Sequence, residues 1–315
     1  MREFGFEMRL CARLESEGHL VSRQLGTGTR SRRIVDAVLV DPGPSFEERT
    51  RITDATIPAA AIEADVGTGT ARYWRDVLDD YHPEFAREVV EEAVEAGFFE
   101  RERRGGREYV RQTTRYPGDW FSRLVGVENK PDLSRPGDLE TQLRKDVSLG
   151  LLDEIVLATA SYVTGAHLNR IPEEVGVWRV DPDDGRYEVV REPTPLDPSV
   201  PGVEVVEEGR TETRVEVVDA AEKARLRRRV AERAYGKGWR VPVPDCPHVE
   251  LQTVGGVGPV PFCTREERVV GPGRGCPCAE GVRDVALDDY RAATSPWVRD
   301  PPGVVRRQSG LDRFR

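Results

Sequence analysis

Glu128 and Lys130 are the residues whose types and spacing point most directly to chemistry. They lie two positions apart in the apolar run from Val125 to Leu133. Residues i and i+2 of an extended strand point to the same face, so the carboxylate and the ammonium group emerge side by side. A charged pair at the end of a buried strand costs free energy unless it has a function. The pattern predicts a functional site, although an exposed ion pair on an edge strand would have the same spacing.

Lysine is rare in this sequence, which gives Lys130 additional weight. Lysine and arginine together number 47, but only Lys130, Lys145, Lys223 and Lys237 are lysines. The formal net charge of -9 and the dominance of arginine fit a protein adapted to high salt, in which an acidic surface keeps the chain solvated. This acidity does not argue against a nucleic-acid partner, because local basic patches matter more for such binding.

Two further carboxylates belong to elements that come earlier in the chain. Asp36 interrupts an apolar, β-branched run that predicts a buried strand. Its side chain must therefore be paired, hydrogen-bonded or bound to a metal. Glu7 lies near the start of an amphipathic helix whose apolar residues recur every four positions. It is interpreted either as a solvated glutamate of the first turn or as a metal ligand.

The segment after Lys130 predicts a helix over 138–153 and a strand over 154–160. Gln142 lies on this helix, and Lys145 and Asp146 follow it by three and four positions on the same face. That polar face meets either solvent or the site. Strand pairs are predicted over 19–40 and over 175–190, which together with the other strands would make one sheet.

Residues 52–116 have a pattern of their own, which predicts an inserted module. Three short helices are expected first, and two arginine-rich segments then flank Gly105 and Gly106, a hairpin signal. Three helices followed by a hairpin are the arrangement of a winged helix. Residues 101–111 contain five arginines and two glutamates, and such a basic wing fits contact with phosphate groups. The alternative is a packing module with a solvated hairpin.

Four cysteines lie in the last quarter of the chain: Cys246, Cys263, Cys276 and Cys278. The amino terminus lacks a secretory signal, so this clustering indicates metal binding rather than disulfides. Four thiolates can close a structural zinc site or hold an iron–sulfur cluster. Buried free cysteines are the alternative. No run approaches the roughly 20 apolar residues of a membrane span. We therefore expect a cytoplasmic protein without a membrane partner.

The order of these elements resembles that of the PD-(D/E)xK nuclease superfamily. The elements are, in order, a helix with Glu7, a strand with Asp36, a strand with Glu128 and Lys130, a helix with Gln142, and a further strand. The resemblance covers residues 1–192 once 52–116 is set aside, and it is closest to the DNA-repair and RecB-like branch. There the helix after the E-x-K strand carries a glutamine followed four positions later by an aromatic residue, whereas this chain has Asp146. The resemblance implies an α/β fold with a restriction-endonuclease-like mixed sheet.

The resemblance also implies metal-dependent hydrolysis of DNA phosphodiester bonds, in repair or defence. Asp36 and Glu128 would hold Mg²⁺ or Mn²⁺ together with its waters. Lys130 would orient or deprotonate the attacking water and contact the phosphate. Glu7 would be an outer ligand or the contact of a second metal ion, and Gln142 would position substrate or water. The alternative is a non-catalytic nucleic-acid-binding protein that uses the winged-helix and four-cysteine modules.

The predicted organisation has five parts. Residues 1–51 and 117–192 form the nuclease-like core, and residues 52–116 form the inserted winged-helix-like module. Residues 193–218 are predicted as a linker. A basic helix and the four-cysteine metal-binding region are expected over 219–293, and a flexible tail over 294–315.

Overall fold

The computed structural model describes residues 3–135, 137–273, 278 and 281–285. Among them, residues up to Gly43 and from Phe121 onward form one compact unit, and Pro44–Trp120 form a second. The helices of the described residues are α1 (Glu3–Ser16), α2 (Phe46–Thr50), α3 (Ala59–Glu63), α4 (Trp74–Val77), α5 (Pro83–Glu95), α6 (Leu139–Leu149), α7 (Gly165–Leu168) and α8 (Ala220–Lys237). The strands are β1 (Leu20–Gly26), β2 (Ile34–Pro42), β3 (Arg72–Tyr73), β4 (Phe99–Arg104), β5 (Arg107–Gln112), β6 (Phe121–Asn129), β7 (Glu154–Thr159), β8 (Gly176–Val180), β9 (Tyr187–Arg191), β10 (Gly202–Glu208), β11 (Thr213–Val218), β12 (Val243–Pro244), β13 (Val249–Val254), β14 (Val257–Cys263), β15 (Arg268–Val269) and β16 (Val282–Arg283).

A six-stranded mixed sheet is the centre of the first unit, with the strand order β1-β2-β6-β7-β8-β9. Strand β7 pairs in parallel with both β6 and β8. The pairs β1–β2, β2–β6 and β8–β9 are antiparallel. Strand β6 lies in the middle of the sheet and is buried from Leu124 onward, as its apolar sequence predicts. The predicted α/β class with a mixed sheet is confirmed.

Helix α1 packs on one face of this sheet. Phe6, Leu10 and Leu14 are buried against Leu39 and Val127, which agrees with the four-residue spacing of the apolar positions. The other side of α1 is also covered, because residues of β14 and β15 belong to the same apolar cluster. The helix is therefore buried on nearly all sides.

Helix α6 packs on the opposite face of the sheet. Its residues Leu139 and Leu143 are buried against Ile155, Leu157 and Val177. The helix ends where Gly150 adopts a left-handed conformation, a common helix stop. The face that α6 shares with the end of β6 carries Gln142, so the sheet and this helix together position the site.

Residues 193–218, which the sequence predicts as a linker, contain the antiparallel pair β10 and β11. Helix α8 follows and begins at Asp219, whose side chain accepts a hydrogen bond from the backbone N–H of Glu222. The basic residues of α8 partly face the protein interior. Lys223 donates to the carbonyl of Val200 at 3.0 Å, and Arg227 donates to that of Leu151 at 2.7 Å. These side chains fasten α8 to the core unit.

The second unit contains α2 to α5 and a three-stranded sheet in which β5 lies between β3 and β4. Ala61, Val89 and Phe98 are among the buried residues of its apolar core. Gly105 and Gly106 form the turn between β4 and β5, and both have positive φ angles that residues with a side chain rarely adopt. The unit runs from Pro44 to Trp120, where the sequence prediction placed 52–116.

In the part of the chain that the structure describes, the helices are too short or too polar to cross a bilayer.

Candidate active site

Asp36 and Glu128 lie on adjacent antiparallel strands at the end of the central sheet. Strands β2 and β6 pair Ala37 with Val127, and the same register continued by one residue sets Asp36 opposite Glu128. Directly opposed residues of antiparallel strands point to the same face. The Asp36 carboxylate also accepts a hydrogen bond from the backbone N–H of Asn129, with a Oδ2 to N distance of 2.9 Å. This contact fixes Asp36 against the strand that carries Glu128.

One open cleft of about 480 Å³ collects the residues that the sequence singles out. Asp36, Glu128, Lys130 and Gln142 all contribute to its wall, together with Asn129. Gln142 reaches the cleft from α6, and the others come from the ends of β2 and β6. Four of the five predicted site residues of the core are therefore brought together around one space.

Glu128 is buried in a negatively charged environment, since only 4% of the residue is exposed. Burial raises the pKa of its carboxyl group to about 8, and the carboxylates of Asp36 and Asp146 act in the same direction. The guanidinium of Arg33 opposes this shift. Burial likewise raises the pKa of Asp146. Ionisation of Glu128 is therefore unfavourable even with Arg33 in contact.

Arg33 is the cation nearest to Glu128, and the sequence reasoning did not identify it. Its Nη2 group donates to Glu128 and also to Asp146 Oδ2 at 2.8 Å, while its Nε group donates to Asp146 Oδ1 at 3.1 Å. Asp146 is buried on α6 between the apolar residues Leu143 and Leu149. A carboxylate between the apolar positions of a helix needs a partner, and this signal was present in the sequence.

Glu7 is not part of the cleft wall, but it is connected to Asp36 through Gln24. The Gln24 amide donates to Glu7 Oε1 at 3.1 Å and to Asp36 Oδ1 at 3.0 Å. Arg23 makes two further hydrogen bonds to the Glu7 carboxylate, at 3.1 and 3.0 Å. Glu7 is only 3% exposed, so the interpretation as a solvated glutamate is wrong. Both of its hydrogen-bond partners lie on β1, which packs against α1.

Gln24 adopts a positive φ angle of 50°, which is uncommon for a residue with a side chain. The pairing of β1 with β2 includes Arg23 and Leu25 but passes over Gln24. This local distortion accompanies the hydrogen bonds that Gln24 makes to two carboxylates, and no local sequence pattern indicates it.

The side chain of Asn129 is a buried polar group in the cleft wall. Asn129 is 3% exposed, and neither its Nδ2 nor its Oδ1 atom has a hydrogen-bond partner in the described part of the chain. Buried amide groups are nearly always hydrogen-bonded to protein or water. Asn129 therefore leaves one donor and one acceptor group for water or a ligand in the cleft.

The cysteines of the C-terminal region lie apart from this cleft. Cys246 and Cys263 are both buried and share a small apolar cluster with Val249 and Val270. Cys278 is exposed, and its Sγ lies 3.7 Å from Arg265 Nη1. Cys276 lies outside the described residues. Among those described, no group of three or more potential metal ligands is assembled, at the cysteines or elsewhere.

The hairpin of the second unit carries exposed positive charge at its tip. We call Arg103, Arg104 and Arg107 the tip arginines, and all three are exposed. Arg103 pairs with Glu108 at 3.0 Å, and Arg104 pairs with Glu102. The exposed face of α5 has the opposite character. It carries the acidic residues Glu84, Glu88, Glu91, Glu92 and Glu95.

Comparison with known proteins gives a family but no function. Residues 20–281 match the family of unknown function DUF5787, and the chain belongs to this family. No curated protein and no solved structure matches the chain.

Proposed function

We propose that this member of the family is a metal-dependent nuclease that hydrolyses DNA phosphodiester bonds, with a PD-(D/E)xK type of active site. The observation that carries the proposal is the position of Asp36 opposite Glu128, in a cleft whose wall also contains Lys130. Two carboxylates and one amine at the end of adjacent central strands are the groups that such hydrolysis requires.

The residues of the cleft fit a hydrated Mg²⁺ or Mn²⁺ ion. Both ions prefer oxygen ligands and keep several of their waters. Asp36 and Glu128 supply carboxylate oxygens, and the unsatisfied amide of Asn129 offers hydrogen bonds to such waters. When bound, the ion would acidify a water molecule and neutralise charge that develops on the phosphate.

The remaining side chains hold these groups and move protons. Lys130 would orient the attacking water and contact the phosphate at the cleft wall. Gln142 would position substrate or water from α6. Glu7 would act through Gln24, because its carboxylate accepts hydrogen bonds from Gln24 and Arg23. We therefore assign Glu7 to positioning Asp36 rather than to direct metal contact.

We further propose that the second unit is a winged-helix module that contacts DNA through its hairpin. From α3 onward, its helix-strand-helix-helix-hairpin order and the central position of β5 fit this architecture. The tip arginines are exposed and suit the phosphate backbone. The acidic face of α5 would be repelled by DNA, so we assign binding to the hairpin and not to this helix.

The C-terminal cysteines are proposed to bind zinc or an iron–sulfur cluster. Strand β16 pairs with β12, so the chain returns from Cys278 to the neighbourhood of Cys246. Cys263 lies two residues before Arg265, which contacts Cys278. Elemental analysis of the purified protein, with an absorbance spectrum, separates the metals: zinc sites are colourless, and iron–sulfur clusters absorb visible light. A protein that contains neither element would contradict this part.

A non-catalytic DNA-binding protein is the second candidate function. The contact between Arg33 and Glu128 favours it, because a fixed guanidinium at this carboxylate can replace a metal ion in a purely structural role. The tip arginines serve either candidate equally. The two functions therefore differ only at the cleft, and the decisive experiment is a test of activity.

Single- and double-stranded DNA should be incubated with Mg²⁺ or Mn²⁺ at high salt, and cleavage should be measured over time. We expect Asp36→Asn and Lys130→Met each to lower the rate by about 100-fold or more. Glu154→Gln is the matched control, since Glu154 lies on the adjacent strand and pairs with Arg123 at 2.9 Å. Equal cleavage by all variants, or none by the wild type, would leave the binding function as the better account.

A further inference from the structure

Arg33 contacts the carboxylate of Glu128, which is a proposed ligand of the metal ion. It lies directly before β2, and its side chain is 15% exposed. The guanidinium is shared between Glu128 and Asp146, and it holds both oxygens of Asp146. A buried cation is thus fixed at a proposed metal ligand by a second carboxylate that lies on a different element.

We propose that Arg33 is a built-in competitor of the divalent ion, so that metal binding requires Arg33 to leave Glu128. This inference rests on the proposed function, because it assigns a metal ion to the same cleft. Two cations at one carboxylate oxygen repel each other strongly in a buried site. The N–H group of Arg33 and a metal ion therefore compete for Glu128.

Asp146 determines what happens to Arg33 after it is displaced. The hydrogen bonds to Asp146 do not involve Glu128, so they can persist when the contact to Glu128 is lost. Arg33 also contributes to the cleft wall. The released side chain would remain beside the cleft, held by α6, and its charge would not have to enter bulk solvent. Asp146 thereby keeps the displacement of Arg33 short and reversible.

The competition sets the metal affinity of the site below the value that its carboxylates alone would give. A hydrogen bond between charged groups is worth enough to change an equilibrium constant by about tenfold or more. Arg33 is a positioning residue in this account, because it acts through Glu128. Its role is measured by metal binding itself and does not depend on turnover.

The test is Mn²⁺ binding by isothermal titration calorimetry at one fixed pH and salt concentration. We expect Arg33→Gln to bind Mn²⁺ about tenfold more tightly than the wild type. Arg32→Gln is the matched control. Arg32 contributes to the same cleft and is exposed, and its substitution removes the same charge. Its affinity should stay within about twofold of the wild type. Glu128→Gln reports whether the ion binds at this site at all.

The possible outcomes test separately whether Arg33 competes with the metal ion and whether the cleft binds a metal ion at all. Binding that depends on Glu128 but is unchanged or weaker in Arg33→Gln overturns the competition and leaves the nuclease proposal intact. Absence of Mn²⁺ binding in the wild type and in every folded variant overturns both. Tighter binding in Arg32→Gln of the same size as in Arg33→Gln would reduce the effect to general charge and also overturn the competition.

Loss of Arg33 leaves Asp146 buried without its partner, so the single variant can fail to fold. The double variant Arg33→Gln with Asp146→Asn then carries the test, because it places two neutral amides where the ion pair was. A second measurement uses the unmodified protein. Addition of Mg²⁺ should shift the guanidinium NMR signal of Arg33, and an unchanged signal at saturating Mg²⁺ would contradict the competition.

Discussion

Ionisation of Glu128 should destabilise the protein when divalent ions are removed by EDTA. Its pKa of about 8 in the folded state lies well above the ordinary value of 4.5. A carboxyl group with a raised pKa binds more protons in the folded state than in the unfolded state. The free energy of unfolding therefore falls as the pH rises between these two values, and the loss is complete above the higher one.

The size of this effect follows from the shift in pKa. Each unit of difference between the folded and unfolded states corresponds to about 1.4 kcal/mol. Between about pH 5 and about pH 8 the ionisation of Glu128 should thus cost up to about 4 kcal/mol. The carboxamide of Glu128→Gln cannot ionise, so the variant should lack this loss.

Urea denaturation at several pH values in this range measures the effect, with wild type and Glu128→Gln compared at each value. We expect the variant to become the more stable of the two as the pH rises. Glu154→Gln should follow the wild-type profile, because Glu154 lies outside the carboxylate cluster and pairs with Arg123. Parallel profiles for the wild type and Glu128→Gln would refute the reasoning, since burial of this carboxylate would then carry no cost.

Three further predictions concern packing, a partly buried ion pair and DNA contact. A Cβ at Gly202 would lie 1.9 Å from the carbonyl oxygen of Leu149, so Gly202→Ala should lower the free energy of unfolding by about 1–3 kcal/mol in the same denaturation assay. A Cβ at Gly165 would meet nothing within 4 Å, so Gly165→Ala should change this free energy little. Arg227→Met should cost about 1–3 kcal/mol because it removes the ion pair with the half-buried Asp153 and the hydrogen bond to the carbonyl of Leu151, and the exposed Arg225→Met should cost less than about 0.5 kcal/mol; similar losses would contradict this. Replacing the three tip arginines by serine should reduce the slope of log affinity for DNA against log salt concentration by about 2–3, and an unchanged slope would exclude the hairpin from the interface.

The cleft residues of β2 and β6 were predictable because their signal is local. Asp36 interrupts a strand of β-branched residues, and Glu128 and Lys130 share a strand face through a spacing of two. These patterns depend on neighbours in sequence, and the structure gathers all three residues at one cleft. The apolar spacing of α1 was likewise sufficient to predict a helix with a buried face.

The partners of those residues were not predictable, because they depend on contacts between distant parts of the chain. Arg33 and Asp146 are 113 positions apart, and no local pattern selects one arginine among many as the partner. The burial of the second side of α1 depends on residues of β14 and β15, more than 240 positions later. The apolar spacing within α1 predicts only one buried side, so the second side is expected to be exposed.

The pair β10 and β11 had a local signal that the linker interpretation overlooked. Valine alternates with charged residues over 203–205 and over 215–217, and a turn that contains Gly209 separates the two segments. Alternation with a period of two predicts paired strands. The proline-rich residues 193–201 directly precede the pair, and their composition indicates a break in the chain rather than a strand.

The balance of charge around the cleft gives the strongest reason to expect a cation there. The network of buried and half-buried groups contains four carboxylates and two guanidinium groups: Glu7, Asp36, Glu128 and Asp146, with Arg23 and Arg33. Arg23 and Arg33 offset two of these charges if all four carboxylates are ionised, and the half-buried Lys130 in the cleft wall offsets a third, which leaves an excess of one negative charge. A binding protein without a metal ion gains nothing from this excess, and burial makes it costly. A divalent ion would neutralise it, and it would do so at the carboxylates that line the cleft.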